Sequence, residues 1–235
     1  MTVSPTRVPW SATEALQELI LAEGLRPGDP MPTEIELSER LGAGRSTIRE
    51  AMRTLSSLDI VEVRHGHGTY VGNFSLAPLV NGLIFRARFD ASEDFQTLRE
   101  VLQTRIALDL AVADELVTQF GGEEDPELNG LVEAMATKAQ AGESFAEEDR
   151  RFHLLLMERV DNRLFGELVE SFWKIQTKVQ PHLGVAPGAD IIETARAHGT
   201  MLDAARKGDV AAYRRAVLDH YAPLQRAVER ARGRQ

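Results

Sequence analysis

At 235 residues, with 43% hydrophobic and 27% charged residues, the chain is long enough for two ordinary globular domains. It has no cysteine, which excludes disulfides and thiolate metal sites, and no apolar run of membrane-spanning length, so a soluble cytoplasmic protein with no membrane partner is expected. The net charge of −9 counts against a broadly basic surface, so any attraction to a polyanion must come from a local strip.

Residues 1–10 read as a flexible arm rich in Ser, Thr and Pro. Ser11-Ala12-Thr13-Glu14 then caps a first helix with Leu16, Leu19 and Ile20 on its inner face, ending at Gly24 before Pro27. After a Pro/Gly-rich connection over 25–32, Thr33-Glu34-Ile35-Glu36 reads as a capping box that opens a short helix ending near Leu41-Gly42. A tight turn leads to Gly44-Arg45-Ser46-Thr47-Ile48-Arg49-Glu50-Ala51-Met52-Arg53. Wound as a helix, this run puts Ile48, Ala51, Met52 and Leu55 on one face and Arg45, Arg49 and Arg53 along the neighbouring one. Two helices joined in this way outline a helix-turn-helix. Residues 60–64 and 69–71 are rich in β-branched side chains and flank His65-Gly66-His67-Gly68, which predicts a hairpin with a glycine-bent, cationic tip. Helix-turn-helix plus hairpin is a winged helix, here over residues 1–72. That segment holds seven Arg, no Lys and ten acidic residues, a net of −3, so its basic strip is confined to Arg45, Arg49, Arg53 and Arg64.

From residue 73 onward every segment reads as helix. Candidate helices span 77–88, 93–119, 125–141, 144–160, 163–180, 189–207 and 209–230. Their breaks fall at Gly121-Gly122 with Pro126, at Gly142, at Asp161-Asn162, over 181–188 and at Gly208. Short connections between amphipathic helices imply an antiparallel bundle over 73–235. The expected fold is therefore mainly α, a winged helix-turn-helix followed by an all-helical bundle. Pro223 should kink the last helix, because it has no N–H to give Asp219.

Several polar residues lie on apolar faces of that bundle. Asp149 and His153 fall within the stripe of Phe145, Phe152, Leu156 and Val160, His198 within that of Ile191, Ala195, Leu202 and Ala205, and His220 among Val210, Tyr213, Val217, Leu224 and Val228. Inward charge needs a partner or a cation. Histidine nitrogens with an aspartate oxygen suit a divalent transition metal, and the i, i+4 spacing of Asp149 and His153 lets both reach one ion. Zinc leads the candidates, with nickel, manganese and iron also compatible. Arg105 and Asp109 share the inner face of the helix at 93–119. They form either an internal ion pair, or an arginine awaiting an outside anion.

Met31-Pro32-Thr33-Glu34, the run from Gly44 to Met52, and Gly66-His67-Gly68-Thr69-Tyr70-Val71 together resemble the N-terminal signature of the GntR family of bacterial transcription regulators. The resemblance implies that Arg45, Ser46, Thr47 and Arg49 meet DNA in the major groove, with Arg53 on the same strip and His65 and Gly66 at the wing tip near the minor groove. Gly44 stands where a serine is common, and Ile35 where many members carry a charge. The second half resembles the FCD ligand-binding domain of the FadR subfamily through Arg105-x-x-Leu108-Asp109, Asp149-x-x-x-His153 followed by Asn162, His198 and His220. That likeness implies a metal held by Asp149, His153, His198 and His220, with a small carboxylate effector held by Arg105. Asp109 replaces the more usual glutamate and its role stays open, while Tyr213 and His182 have no matched role. The expectation is a ligand-responsive repressor that binds a palindromic operator in double-stranded DNA as a homodimer and has no enzymatic activity. Two alternatives are a metalloenzyme with an appended DNA-binding module, and a metal-free regulator taking a larger acyl ligand.

Overall fold

The first helix, α1 (Ala12–Ala22), begins where Ser11 and Glu14 close a capping box, and α2 (Glu34–Leu41) begins where Thr33 and Glu36 close another. α2 stops at Gly42, which takes the left-handed conformation that glycine tolerates. The third helix, α3 (Arg45–Ser57), starts at Gly44 without a side-chain cap and turns Ile48, Ala51, Met52 and Leu55 inward. They meet Leu16, Ile20 and Leu37 from α1 and α2, and Val61 and Val71 from the hairpin, in one core. The hairpin pairs β1 (Val61–Arg64) with β2 (Gly68–Val71) in antiparallel register, Val61 opposite Val71 and Arg64 opposite Gly68. Gly72 follows at a close approach: a Cβ there would run into the carbonyl oxygen of Asp59. The winged helix expected from the sequence is the fold observed.

The computed structural model describes residues 11–90, 95–183 and 189–233, so the arm read over 1–10 lies outside the described residues. The chain divides into two compact units, Met1–Pro78 and Leu79–Gln235. The second is all helical: α4 (Ala77–Asp90, starting just before the division), α5 (Gln96–Ala111), α6 (Ala113–Phe120), α7 (Pro126–Gln140), α8 (Ala146–Met157), α9 (Arg163–Val179), α10 (Ala189–Arg206) and α11 (Val210–Arg232), with a 3-10 turn over Gln180–Leu183. α10 packs chiefly on α11 and α7, α5 on α9 and α11, and α8 on α7 and α9.

One expectation needs correction. The segment 93–119 is two helices, because Val112 (φ −92°, ψ 0°) departs from helical geometry between α5 and α6. The other helices end within a few residues of their expected bounds. Pro223 sits inside α11, which runs through it from Val210 to Arg232. The core has two clusters: one built on Leu116, Phe120, Leu128, Phe152, Leu202 and Val217, the other on Leu98, Val101, Ile175, Val179 and Val228.

Candidate functional site

α8 projects Asp149 and, one turn later, His153. α10 adds His198 and α11 adds His220, and one donor atom from each of the four lies within 4.8 Å of every other. The three histidines are buried, and Phe152 closes edge-on against His153 and His198 with ring centroids 5.7 and 5.0 Å away. His198 Nδ1 lies 2.9 Å from the Thr194 carbonyl and donates to it, which turns Nε2 toward Asp149 Oδ1 at 3.0 Å. Asp149 Oδ2 accepts from the Trp173 indole at 3.0 Å. His153 Nε2 and His220 Nε2 are 3.2 Å apart, so at most one of them carries a proton toward the other. The Nδ1 atoms of both rings are buried without a partner among the described residues.

This donor set fits a divalent transition metal. Bonds of about 2.0–2.2 Å put two donors of one ion no more than about 4.4 Å apart, and the four donors here all lie within 4.8 Å of one another, so a small closing movement would seat an ion. Burial drives His153 down to about 3 against the pull of Asp149, helped by the charges of His198 and Arg105, and drives His220 well below the ordinary histidine value. Both rings are thus neutral near pH 7, the form that ligates metal. Burial pushes the Asp149 carboxyl up, but the hydrogen bond from His198 and the surrounding imidazoles outweigh it and hold the carboxyl well below its usual range.

Asp149 and His220 line a cavity of about 240 Å³, together with Phe145, Trp173, Gln176, Thr177, Gln180, Tyr221 and Leu224 among others. Arg105, on α5, is 1% exposed and sits behind this wall. Its Nη1 donates to Gln176 Oε1, its guanidinium carbon lies 5.2 Å from the Tyr221 ring centroid, and among the described residues Nε and Nη2 have no hydrogen-bond partner. No ion pair joins it to Asp109 among the described residues. Asp109 Oδ2 instead accepts from the Tyr221 hydroxyl at 2.6 Å, and burial raises its carboxyl despite Arg105 nearby. Of the two sequence readings of Arg105, the internal ion pair is not formed.

In the winged helix, Arg45, Ser46, Thr47, Arg49 and Arg53 are exposed on α3, as are His65 and Gly66 at the hairpin tip. Three of the strip's four arginines already have a partner. Arg49 is held by Glu34, through Nη2 at 2.8 Å and Nε at 3.2 Å to the same carboxylate oxygen. Arg53 lies 3.5 Å from Glu50, and Arg64 lies 2.7 Å from Glu62 while covering the Tyr70 ring. Sequence reasoning missed Glu34 in this role, and missed Trp173, Thr194, Gln176 and Tyr221 around the buried cluster. The signals available were faint: Tyr221 adjoins His220, Thr194 precedes His198 by one turn, and Trp173 and Gln176 are one turn apart on α9. The side chain of His182 lies outside the described residues.

A winged helix with an exposed arginine row, on one chain with a helical unit that gathers a His/Asp cluster beside a small cavity, defines the class as a DNA-binding transcription regulator. The chain belongs to the GntR family of bacterial regulatory proteins and carries an FCD domain: residues 11–71 match the former and residues 100–223 the latter. It is 42% identical over 105 residues to the putative transcriptional regulatory protein NedR of Micromonospora viridifaciens, covering 45% of this chain and 75% of that one. It is 23% identical over 203 residues to the galactonate operon transcriptional repressor of Escherichia coli K12, covering 86% and 89%. A solved GntR structure from Streptococcus agalactiae superposes with a TM-score of 0.59 at 25% identity, covering 92% and 98%. These relatives are regulators, and the chain is a regulator rather than an enzyme. Among the described residues no helix is long and apolar enough to cross a membrane.

Proposed function

We propose that the protein is a metal-dependent sensor of a small carboxylic acid that represses transcription, acting in the cytoplasm as a homodimer on a near-palindromic operator. The observation that carries the reading is the convergence of Asp149, His153, His198 and His220 within 4.8 Å at the wall of a cavity of about 240 Å³. These four residues would hold the metal, zinc first among candidates, and the metal would supply a Lewis-acidic anchor for a carboxylate. His198 is set for that task by its bond to the Thr194 carbonyl, and Asp149 by the Trp173 indole. Arg105 supplies the second anchor, its Nε and Nη2 being buried and without hydrogen-bond partners among the described residues.

The cavity is smaller than the usual drug-sized pocket of roughly 300–1,000 Å³, which favours a short acid over a long acyl chain. The likeness to the galactonate operon repressor makes sugar acids the first class to test. On the DNA side, Arg45, Ser46, Thr47, Arg49 and Arg53 would meet the major groove, and His65 and Gly66 the minor groove. One winged helix reads one half-site, so two copies would select a two-fold operator. Acid binding would shift the DNA-competent population by a coupling of about 1–3 kcal/mol. Elemental analysis of the purified protein, then operator titrations with and without sugar acids, tests the reading. Near-stoichiometric metal and acid-dependent release of DNA are expected. No metal after reconstitution would remove the metal from the reading, and acid-independent DNA binding would remove the sensor.

A further inference from the structure

We infer that Gln176 is a stand-in for the effector's carboxylate on Arg105, and that the acid binds by displacing it; the inference rests on the carboxylate-sensing reading above. Arg105 is a guanidinium with 1% exposure and no carboxylate at ion-pair distance among the described residues. The carboxylates that pull on it, Asp149 and Asp109, do so without an ion-pair contact, and Asp109, one turn along α5, has its Oδ2 taken by the Tyr221 hydroxyl at 2.6 Å. What meets Arg105 Nη1 is a neutral amide oxygen, Gln176 Oε1, while the guanidinium lies beside the Tyr221 side chain and Nε and Nη2 have no hydrogen-bond partner among the described residues. Burying a charge against one neutral acceptor, the Tyr221 side chain and carboxylates that act only at a distance is a poor solution for stability alone. It suits a site whose proper counter-ion arrives from outside.

The geometry says from where. Gln176 and Tyr221 line the cavity, whereas Arg105 lies behind them, so an acid entering the cavity meets Gln176 before the guanidinium. Trp173, one turn earlier on α9, is tied to Asp149 by its indole N–H, and among the described residues no such second tie is seen for Gln176, whose unbranched side chain can swing on its own torsions. A carboxylate brings what the amide lacks, a negative charge and a second oxygen for the guanidinium fork. Turning Gln176 aside would join the cavity's metal end, at Asp149 and His220, to its buried cation. The residue would then act as a gate, setting how much of the acid's binding energy goes into opening the anchor.

The test uses full-length, zinc-loaded protein titrated calorimetrically with glycolate and with gluconate, in wild type, Gln176→Ala and Gln176→Glu. Gln176→Ala should melt lower without acid and bind acid about tenfold tighter, because a hydrogen bond to a charged group no longer has to be broken first. Gln176→Glu, a tethered carboxylate on Arg105, should melt higher without acid and bind about tenfold weaker or worse. Zinc content should be the same in all three. If wild type binds an acid and Gln176→Ala binds it equally or more weakly, Gln176 is a wall or a direct contact and the inference is overturned, while the sensor reading stands. Gln176→Ala decides this even if Gln176→Glu does not fold. If neither acid binds wild type or Gln176→Ala, the carboxylate reading falls and takes this inference with it.

Discussion

Replacing Asp149 with asparagine keeps the side chain's size and an acceptor for the Trp173 indole, 3.0 Å away, while removing the negative charge that faces His198 Nε2 at 3.0 Å. Two losses follow, and they separate by measurement. Without metal, the variant loses a charge-assisted hydrogen bond, about 1.5–3 kcal/mol. With zinc at about a hundredfold excess over its Kd, wild type gains about 2.7 kcal/mol by linkage. A unit the length of Leu79–Gln235 shifts by about 2–4 °C per kcal/mol, so loading should raise its melting temperature by about 5–11 °C. If asparagine weakens the metal about a hundredfold, the same free zinc contributes only about 0.4 kcal/mol, a rise of about 1–2 °C. Calorimetry of both proteins, apo and loaded, reads all four values, and the transition of the winged-helix unit serves as an internal reference that should not move. An equal rise in variant and wild type would show that Asp149 is no ligand. No rise in either would reduce the cluster to a hydrogen-bond network.

Tyr221→Phe deletes the hydroxyl that gives Asp109 Oδ2 its partner while Oδ1 already has none, so the helical unit should lose about 1–3 kcal/mol and melt several degrees lower; an unchanged melting curve would contradict the assigned bond. Gly72→Ala forces a Cβ into the Asp59 carbonyl and should cost the winged-helix unit about 1–3 kcal/mol, read as a fall in the first unit's transition alone. Arg49→Ala should abolish specific operator binding with circular dichroism unchanged, and binding like wild type would refute the placement of the recognition helix. Glu34→Gln releases Arg49 from its bidentate hold, so non-specific DNA affinity should rise and the log–log salt dependence should steepen by about one; an unchanged slope would mean that Arg49 is not a phosphate contact.

The winged helix was legible because its signals are local. Capping boxes at Ser11 and Thr33, a glycine stop at Gly42 and the face-sorted arginines of α3 each lie within a few residues of the structure they specify. The helical unit yielded its helices through glycine and aspartate breaks but hid the division at Val112. There the buried positions Leu102, Arg105, Asp109, Ala113 and Leu116 keep a helical spacing straight through the break, with no glycine or proline to mark it. The inward placement of Asp149, His153, His198 and His220 could be projected helix by helix, since each interrupts an apolar stripe. The partners of Arg105 could not. Whether an arginine on an inner face meets Asp109 on its own helix or Gln176 on another depends on interhelical packing, and the diversion of Asp109 to Tyr221 spans 112 positions of sequence. The Glu34–Arg49 pair crosses between two helices in the same way, 15 positions apart.

Among the described residues the core of the winged helix draws on positions between α1 and β2, whereas the His/Asp cluster cannot close until α11 delivers His220 to His153, 67 positions away. On a ribosome the two halves therefore mature at different times. At about 5–20 residues per second, the interval between emergence of β2 and of His220 is on the order of ten seconds. During that window a nascent chain can present a folded winged helix while the cluster of the second unit does not yet exist. Because the four side chains are scattered over three helices, an unfolded segment offers a metal no ready-made nest, so any ion would be acquired late and by the folded unit. The order of synthesis thus makes the DNA-reading fold the first this chain can complete and the buried His/Asp cluster among the last.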